Sequence, residues 1–393
     1  MSYFGTLTLY LFIIFFSVLV TKIAYQKNIS KFQKKILILG VIFLLAIFAG
    51  LRYQTGSDWY QYYIAVDYVG KQGNTEWGAG KNNYGPLYIA LCKIVYWIGG
   101  NGSFFLFVMA FLTYLFLFLT LDRYKNQIEV HMSIFMYTAL YYLVSYNIVR
   151  QALAITIGMY AISFLDYNRN MLVNVKKTQR LKSFLKDNAN FLVFSLIASM
   201  VHNSGLVCFL ALPLCYIMKK KKMKWIILIA VFLAVINFRH FMPLAIYITG
   251  SDQFRWYFSL WGEEGSYLLY IVRYAPYMLT CGLSYKILSR NERMMNLYNL
   301  FLVGLIVNLL SIISNSEIER FIFTYLYMMI IVIPFAIKNM SVSKSFFGLR
   351  IKFDNVTYRL YKWFMYIYIL FTFYYTFFIQ GAYKVVPYTF IFD

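Results

Sequence analysis

The sequence predicts an all-α protein, a polytopic bundle of transmembrane helices, and three observations support that class. The chain of 393 residues is 61% hydrophobic and only 13% charged, whereas soluble domains are roughly a quarter charged. Its apolar residues form uninterrupted blocks, such as LYLFIIFFSVLV and FFLFVMAFLTYLFLFLTL, and blocks of about 18 residues or more cross a bilayer. Its basic residues lie in short clusters between those blocks. We therefore expect one integral membrane domain over residues 1–393.

The apolar blocks predict about twelve crossings, several of them shorter than the ~20 residues of a full span. They are Tyr3–Ala24, Ile36–Leu51, Phe104–Leu121, Met132–Tyr146, Val149–Leu165, Phe184–His202, Gly205–Met218, Trp225–Phe238, Tyr267–Leu288, Leu297–Ile313, Phe321–Ile337 and Trp363–Ile379. The stretch Tyr84–Gly99 differs, because it begins with Gly-Pro after a tyrosine and carries Lys93 in mid-run. We interpret it as an amphipathic helix that lies in the membrane interface. Two large external loops follow, residues 52–103 and 239–266.

The distribution of charge determines the predicted orientation. A net charge of +22 in a soluble protein would suggest nucleic acid, but here the clusters KNISKFQKK, NVKKTQRLK and KKKKMK each lie between apolar blocks. Such clusters mark cytoplasmic loops. With Tyr84–Gly99 in the interface, most of the 37 Lys and Arg residues fall on the cytoplasmic side, whereas a crossing there would place most of them outside. The rule therefore favours the interfacial helix, puts both termini outside and argues against a nucleic-acid partner.

Several other classes of site find no support in the sequence. Four cysteines lie scattered in apolar surroundings without a CxxC pair, so we expect packing residues and no metal centre. The first apolar block is too long for a signal peptide and lacks a cleavage site, so we expect it to be retained. We find no internal repeat and no GxxxxGK[ST] loop, so nothing indicates that ATP drives the activity.

Polar and ionisable residues gather at the predicted outer ends of the helices, where they often mark a functional path. They are Arg52, Asp58, Asn147, Arg150, Gln151, His202, Asn203, Arg273, Glu317, Glu319 and Arg320. Each alone has a structural alternative, since an arginine at a helix end is often an interfacial anchor. Together they oppose the positive-inside bias. Arginine pairs bidentately with phosphate oxygens and aromatic rings stack on sugar faces, so the pattern indicates an external site for a sugar and a diphosphate.

The motifs resemble those of the EpsG family of polysaccharide polymerases, the Wzy-like membrane glycosyltransferases of bacterial exopolysaccharide and O-antigen loci. The resemblance rests on Arg52-x3-Gly56-x-Asp58-x3-Tyr62, YGPLYIALCKIV, VRQALAI, HNSGL and ERFIFTYLYM, in that order. The family is also similar to C-type glycosyltransferases, whose first external loop carries an acidic catalytic residue and juxtamembrane helices. A GT-C-like fold is therefore implied. Family members often have an acidic residue before the proline, where this chain has Gly85, which leaves the role of that carboxylate open.

The resemblance implies a polymerase that joins undecaprenyl-diphosphate-linked oligosaccharide repeat units into O-antigen, capsule or exopolysaccharide, outside the bacterial cytoplasmic (inner) membrane. Such a transfer needs a base near the attacking hydroxyl and positive charge at the leaving diphosphate. Asp58 is the expected base and His202 the second candidate. The expected binding residues are Arg52, Gly56, Tyr62, Tyr84, Arg150, Gln151, Arg273, Glu319 and Arg320. We expect no cofactor; Mg²⁺ could bind one carboxylate and diphosphate, but the outer residues offer no dense acidic cluster.

Two alternatives stay open at this point. An O-antigen ligase, or another lipid-linked-sugar glycosyltransferase, would share an arginine-lined external site. A flippase or transporter of lipid-linked oligosaccharide should show polar residues at mid-membrane depth and on both faces, with internal repeats, and the one-sided polar set favours the enzyme. Beyond the substrate, the expected partners are membrane lipid, a chain-length regulator and other polysaccharide export proteins.

Overall fold

The computed structural model describes residues 1–72, 76–77, 80–81, 84–165, 186–237, 267–314, 317–340 and 354–392. Side chains are not described at residues 73–83, 267–271, 310 and 312–319. The predicted external loop 239–266 and the basic cluster NVKKTQRLK lie outside these ranges. One antiparallel pair of two-residue strands, Glu76–Trp77 and Gly80–Lys81, lies in the predicted loop 52–103.

Helices form nearly all of the regular structure in the described ranges. They are α1 (Tyr3–Ala24), α2 (Lys31–Gly50), α3 (Trp59–Tyr63), α4 (Pro86–Trp97), α5 (Gly102–Asp122), α6 (Val130–Leu140), α7 (Val149–Ile162), α8 (Ala189–Val201), α9 (Val207–Met218), α10 (Lys221–Ile236), α11 (Tyr267–Leu283), α12 (Tyr285–Leu288), α13 (Glu292–Ser314), α14 (Glu317–Leu326), α15 (Met329–Met340) and α16 (Asn355–Tyr374). Short 3-10 turns cover Val144–Tyr146, Asn203–Leu206 and Ala382–Lys384, and π-helical turns cover Val66–Lys71 and Tyr375–Ile379. The predicted helical class is confirmed.

Five helical segments of the described chain are long and apolar enough to cross a membrane: Tyr3–Ala24, Lys31–Gly50, Gly102–Asp122, Arg320–Met340 and Asn355–Ile379. The outward side chains of the bundle include large apolar groups such as Phe12, Phe43, Trp225, Ile229 and Trp363. Apolar surface on this scale is stable only where lipid replaces water. The chain is therefore an integral membrane protein. The other predicted crossings correspond to shorter, interrupted or less apolar helices, so the count of about twelve and the GT-C-like fold stay predictions.

Helix boundaries depart from the sequence prediction within two of the apolar blocks. The predicted crossing Met132–Tyr146 is divided, because α6 ends at Leu140 and a 3-10 turn follows over Val144–Tyr146. The Tyr146 carbonyl accepts a hydrogen bond from Arg52 at 3.0 Å instead of closing a further helical turn. The predicted crossing Phe321–Ile337 is likewise shared between α14 and α15.

Basic residues of the described chain form ion pairs at one end of the bundle, which we call the basic end. Lys34 and Lys125 pair with Asp122 at 2.5 and 2.9 Å, and Lys362 pairs with Glu129 at 2.5 Å. These ion pairs lie at one end each of α2, α5 and α6. The other ends of the three helices therefore lie together at the opposite end of the bundle, which we call the site end. Both termini lie there, since the N-terminal ammonium donates to the Tyr388 carbonyl at 3.2 Å.

Candidate functional site

The Asp58 loop, residues 52–58, follows α2 at the site end and is held by the C-terminal segment, residues 381–392. Three backbone hydrogen bonds join the two: Tyr53 N to Thr389 O (2.8 Å), Gly56 N to Lys384 O (2.9 Å) and Ser57 N to Tyr383 O (3.1 Å). A fourth, Ile391 N to Leu51 O (2.9 Å), binds the segment to the residue just before the loop. The Thr389 nitrogen also donates to the Thr55 hydroxyl at 3.1 Å. The loop therefore owes its conformation to a segment more than 300 residues away in the chain.

Arg52 lies inside this junction and is only 1% exposed. Its guanidinium donates to the Ala49 carbonyl and, at 3.0 Å, to the Tyr146 carbonyl, and it lies 4.4 Å from the centre of the Tyr146 ring. Both carbonyls stand at C-terminal ends of helical segments, where the helix dipole favours a cation. A cavity of about 10 Å³ beside it has room for about one water. Through these contacts Arg52 holds α2 to the turn before α7, and its expected contact with a diphosphate stays a prediction.

Asn147 positions the Asp58 loop from the turn before α7. Its amide oxygen accepts hydrogen bonds from the Ser57 hydroxyl at 2.9 Å and the Asp58 nitrogen at 3.2 Å, and its amide nitrogen donates to the Tyr383 carbonyl at 3.2 Å. Gly56 has a φ of +102°, and a Cβ there would lie 3.0 Å from the Asn147 oxygen. Asn147 lies at the end where the sequence predicts the site, but it is not among the predicted site residues. No local motif signalled its role, because all of its partners are distant in sequence.

Asp58 stands at the N-cap position of α3, yet its side chain makes no capping hydrogen bond. Its carboxylate lies 3.2 Å from the Ser57 hydroxyl, which shares its one proton with the Asn147 amide oxygen, and is only partly buried. Within the described ranges it takes part in no salt bridge. The carboxylate is therefore not committed to helix capping, and it is available to a ligand.

Arg150, in the first turn of α7, is surrounded by aromatic rings. Its guanidinium lies 4.6 Å from the centre of the Tyr84 ring and 5.2 Å from that of Tyr88, and it hydrogen-bonds the Tyr62 hydroxyl. Its Nε is buried and has no hydrogen-bond partner in the part of the chain that the structure describes. Aromatic faces stabilise a guanidinium without neutralising it, so the positive charge remains available to an anion.

Tyr62 connects the acidic and basic parts of the site. Burial raises the pKa of Tyr62, Arg150 and Arg320 act to lower it, and Asp58 acts to raise it. The charges of Arg150, Arg320 and Asp58 therefore all act on the same hydroxyl. Because the net shift is upward, Tyr62 stays neutral near pH 7 and provides a hydrogen-bonding group between Asp58 and the arginines.

His202 lies in the turn between α8 and α9, outside both helices. Its Nδ1 accepts a hydrogen bond from the Ser204 nitrogen at 3.1 Å and lies 2.8 Å from the Ser204 hydroxyl. Since a backbone N–H can only donate, the proton of the neutral ring is on Nε2. Burial, with the charges of Arg150 and Arg320, lowers the pKa of His202 to about 3. This geometry favours a neutral hydrogen-bond donor over the second base that we expected.

Gln151 joins α7 to α14, because its side-chain nitrogen donates to the Arg320 carbonyl. The Arg320 side chain acts electrostatically on both Tyr62 and His202. We call Tyr62, Tyr84, Arg150, His202 and Arg320 the Arg150 cluster. Of the other expected residues, Arg273 lines a separate cavity, and the Glu319 side chain lies outside the described residues.

Two further observations concern the surroundings of the site. A Cβ at Gly85 would lie 2.2 Å from the Met200 carbonyl oxygen, so this packing leaves no room for any side chain at that position. No group of three or more His, Cys, Asp or Glu residues suited to a metal occurs among the described residues.

The EpsG family model matches residues 35–175 of the chain, which confirms the predicted resemblance over that stretch. The match covers the Asp58 loop, α4, Asn147 and Arg150, whereas His202, Arg273 and Arg320 lie beyond it. No curated protein matches the chain, and no solved structure does.

Proposed function

We propose, from the match to EpsG, a Wzy-like polysaccharide polymerase family, that this chain joins undecaprenyl-diphosphate-linked oligosaccharide repeat units at the outer face of the cytoplasmic membrane. One observation carries the proposal beyond the family match. Asp58 stands at the start of the helix that carries Tyr62, and Arg150 hydrogen-bonds the Tyr62 hydroxyl and lies 4.6 Å from the centre of the Tyr84 ring, so an acid–base group and a cation flank one short helix at the site end, with Arg320 acting on the same hydroxyl. This is the combination that transfer from a diphosphate requires.

In the proposed reaction the donor diphosphate binds Arg150 and Arg320, and His202 donates a hydrogen bond from Nε2–H. Asp58 takes the proton of an acceptor hydroxyl while that oxygen forms a bond to the donor's anomeric carbon. The bond from the anomeric carbon to the diphosphate oxygen breaks, and the two arginines stabilise the charge that develops on the leaving group. The neutral Tyr62 hydroxyl forms hydrogen bonds between Asp58 and the arginines, and it adds no charge to the site.

The proposed orientation places the site end outside, because basic loops concentrate on the cytoplasmic side. Lys71 and Lys222 are both exposed and are predicted to lie on opposite sides. An impermeant thiol reagent applied to intact cells should label Lys71→Cys and leave Lys222→Cys unlabelled. Labelling of Lys222→Cys would reverse the orientation and remove the external site.

The function is tested by analysing the surface polysaccharide of a deletion strain. A polymerase deletion leaves single repeat units and no polymer, and the wild-type gene restores the polymer. Polymer that accumulates on the lipid carrier would indicate the ligase alternative. Repeat units confined to the cytoplasmic side would indicate the flippase. Either result would replace the proposed function.

A further inference from the structure

A second cavity lies apart from the residues of the Arg150 cluster. It is lined by Leu140, Tyr141, Val144, Arg273, Tyr274, Asn308, Phe323, Leu326, Tyr327 and Tyr383, and its volume is about 50 Å³. On that measure one water needs about 10–15 Å³, so the cavity has room for a group of a few non-hydrogen atoms. An arginine in the helical part of a membrane protein is costly and usually functional.

The lining offers hydrogen-bond donors to an incoming group. Arg273 presents a planar fork of N–H groups. Tyr327 is 1% exposed, and its buried hydroxyl has no hydrogen-bond partner within the described chain. The hydroxyl of neighbouring Tyr141, whose ring stacks on Tyr327 at 3.8 Å, is already engaged with the Met329 sulfur at 2.9 Å. A buried, unsatisfied hydroxyl costs stability unless something binds it, so Tyr327 points to a ligand.

The size and charge of the cavity exclude a diphosphate. A diphosphate carries more than one negative charge, whereas Arg273 is the only charged residue among the described residues that line the cavity. The Arg150 cluster has two arginines and a histidine donor. A planar acceptor group fits better, because the guanidinium fork matches two oxygens in one plane and the tyrosine rings offer flat walls.

We propose that this cavity is a specificity pocket that receives one planar, oxygen-bearing substituent, a carboxylate or an acylamino group, of a sugar ring in the repeat unit. The inference rests on the proposed function, and it adds the part of the substrate that decides which sugar is accepted. Arg273 and Tyr327 donate to the oxygen of the substituent. Tyr383 links the pocket to the Asp58 loop, because this residue lines the cavity and its carbonyl accepts hydrogen bonds from the Ser57 nitrogen and the Asn147 amide nitrogen.

The kinetic test uses lipid-linked repeat units isolated from the deletion strain. Tyr327→Phe should raise KM about tenfold with kcat little changed, the effect of losing about one hydrogen bond to a charged or strongly polar group. Tyr277→Phe is the matched control, since the Tyr277 hydroxyl is also buried without a partner among the described residues but does not line this cavity. Equal KM values for wild type and Tyr327→Phe would overturn the proposal.

Chemical modification of the substrate distinguishes a carboxylate from an acylamino group as the source of the bound oxygen. Reduction of carboxylates to alcohols, or removal of acyl groups from nitrogen, should raise KM in the wild type and have little further effect in Tyr327→Phe. The treatment that has this effect identifies the group. A repeat unit that contains neither group would contradict the proposal.

A binding measurement keeps the inference separable from the proposed function. Val144→Cys places a thiol in the cavity, while the native thiols of Cys92, Cys208, Cys215 and Cys281 are buried away from the reagent. The free oligosaccharide, released from its lipid, should protect Val144→Cys from a small thiol reagent, and Tyr327→Phe should weaken that protection. Protection without polymer formation would support the pocket and refute the polymerase, whereas polymer formation without protection would refute the pocket alone.

Discussion

The Asn147 amide oxygen lies 3.2 Å from the Asp58 backbone nitrogen, and the Ser57 hydroxyl bridges the same oxygen to the Asp58 carboxylate at 2.9 and 3.2 Å. The Asn147 amide nitrogen donates to the Tyr383 carbonyl. Three segments, which lie early, in the middle and at the end of the chain, therefore meet at one buried side chain. The position of the proposed base depends on Asn147 as a positioning residue.

Asn147→Asp should move the acidic limb of the pH–rate profile to higher pH. The new carboxylate lies one hydroxyl away from Asp58, and a nearby negative charge raises the pKa of a carboxyl group. Because the base acts when deprotonated, activity should be lost first at low pH, with a shift of about one unit. Polymerisation rates in membrane vesicles over a pH series measure it. Asn237→Asp, at an exposed position at the end of α10, is the control. If an active Asn147→Asp variant keeps the acidic limb of its pH–rate profile at the wild-type pH, the positioning role of Asn147 is refuted.

Asp58→Asn should abolish the polymer while leaving the protein inserted and abundant. Asparagine keeps the size of the side chain but cannot accept a proton at neutral pH. Helix capping gives no competing explanation, because the Asp58 side chain makes no capping bond. Polymer length and membrane abundance are read from the complemented deletion strain. Asp67→Asn, an exposed carboxylate in the same predicted loop, should be close to neutral, and near-normal polymer from Asp58→Asn would exclude this residue as the base.

Arg150→Lys and Arg320→Lys should each reduce polymer formation severely, with single repeat units accumulating on the lipid carrier. Lysine keeps the charge but loses the planar fork that binds phosphate oxygens bidentately. If these residues only anchored helices at the interface, lysine would serve equally well. Full polymer length from both variants would remove them from the site.

The control for these substitutions is Arg290→Lys, which is exposed at the basic end and should be neutral. Arg123, also on the predicted cytoplasmic side, is unsuitable. Its guanidinium lies 3.8 Å from the centre of the Phe164 ring and donates to the Ser163 carbonyl at 3.3 Å. Lysine would lose that stacking and so would affect stability.

His202→Asn should reduce the loss of stability on acidification. The pKa of His202 is about 3 in the folded protein and about 6.5 in the unfolded chain. Between those values the unfolded state binds the proton and the folded state does not, so stability falls as pH decreases through the window. Thermal midpoints of the detergent-solubilised protein at pH 7 and pH 5 should therefore converge in the variant. If the thermal midpoint falls between pH 7 and pH 5 by the same amount in the wild type and in His202→Asn, His202 is not buried as a neutral ring.

Tyr388→Ala should destabilise the protein by about 3–5 kcal/mol through loss of a fully buried aromatic side chain. Tyr388→Phe should cost only about 0.5–1.5 kcal/mol, since it removes one hydrogen bond, the 2.7 Å contact to the Phe48 carbonyl. Denaturant or thermal unfolding measures both, with exposed Tyr216→Ala as the control. A small effect of Tyr388→Ala would show that the C-terminal segment does not hold the Asp58 loop.

Some features were predictable because their physical causes are local. Uninterrupted apolar blocks predict helices, and the predicted α1, Tyr3–Ala24, agrees with the structure at both ends. Charge clusters predict which helix ends lie together, because each crossing reverses the direction of the chain. The Asp58 loop and Arg150 fall within the stretch that the EpsG family model matches. Where helices end in the middle of an apolar block, as at Leu140, the cause is a partner elsewhere, and the local pattern carries no trace of it.

The sequence by itself determined that this is a helical membrane protein, with arginines, an aspartate and a histidine at the ends of helices remote from the basic loops. Only the tertiary structure decided what each arginine does. Arg52 and Arg150 both lie at helix ends among tyrosines. Arg52 is buried and its backbone pairs with the C-terminal segment at Phe390. Arg150 contacts Tyr62 and Tyr84, which do not neutralise its charge. The physical reason is that burial and hydrogen-bond partners come from residues distant in sequence, and apolar patterning and charge counts do not record them.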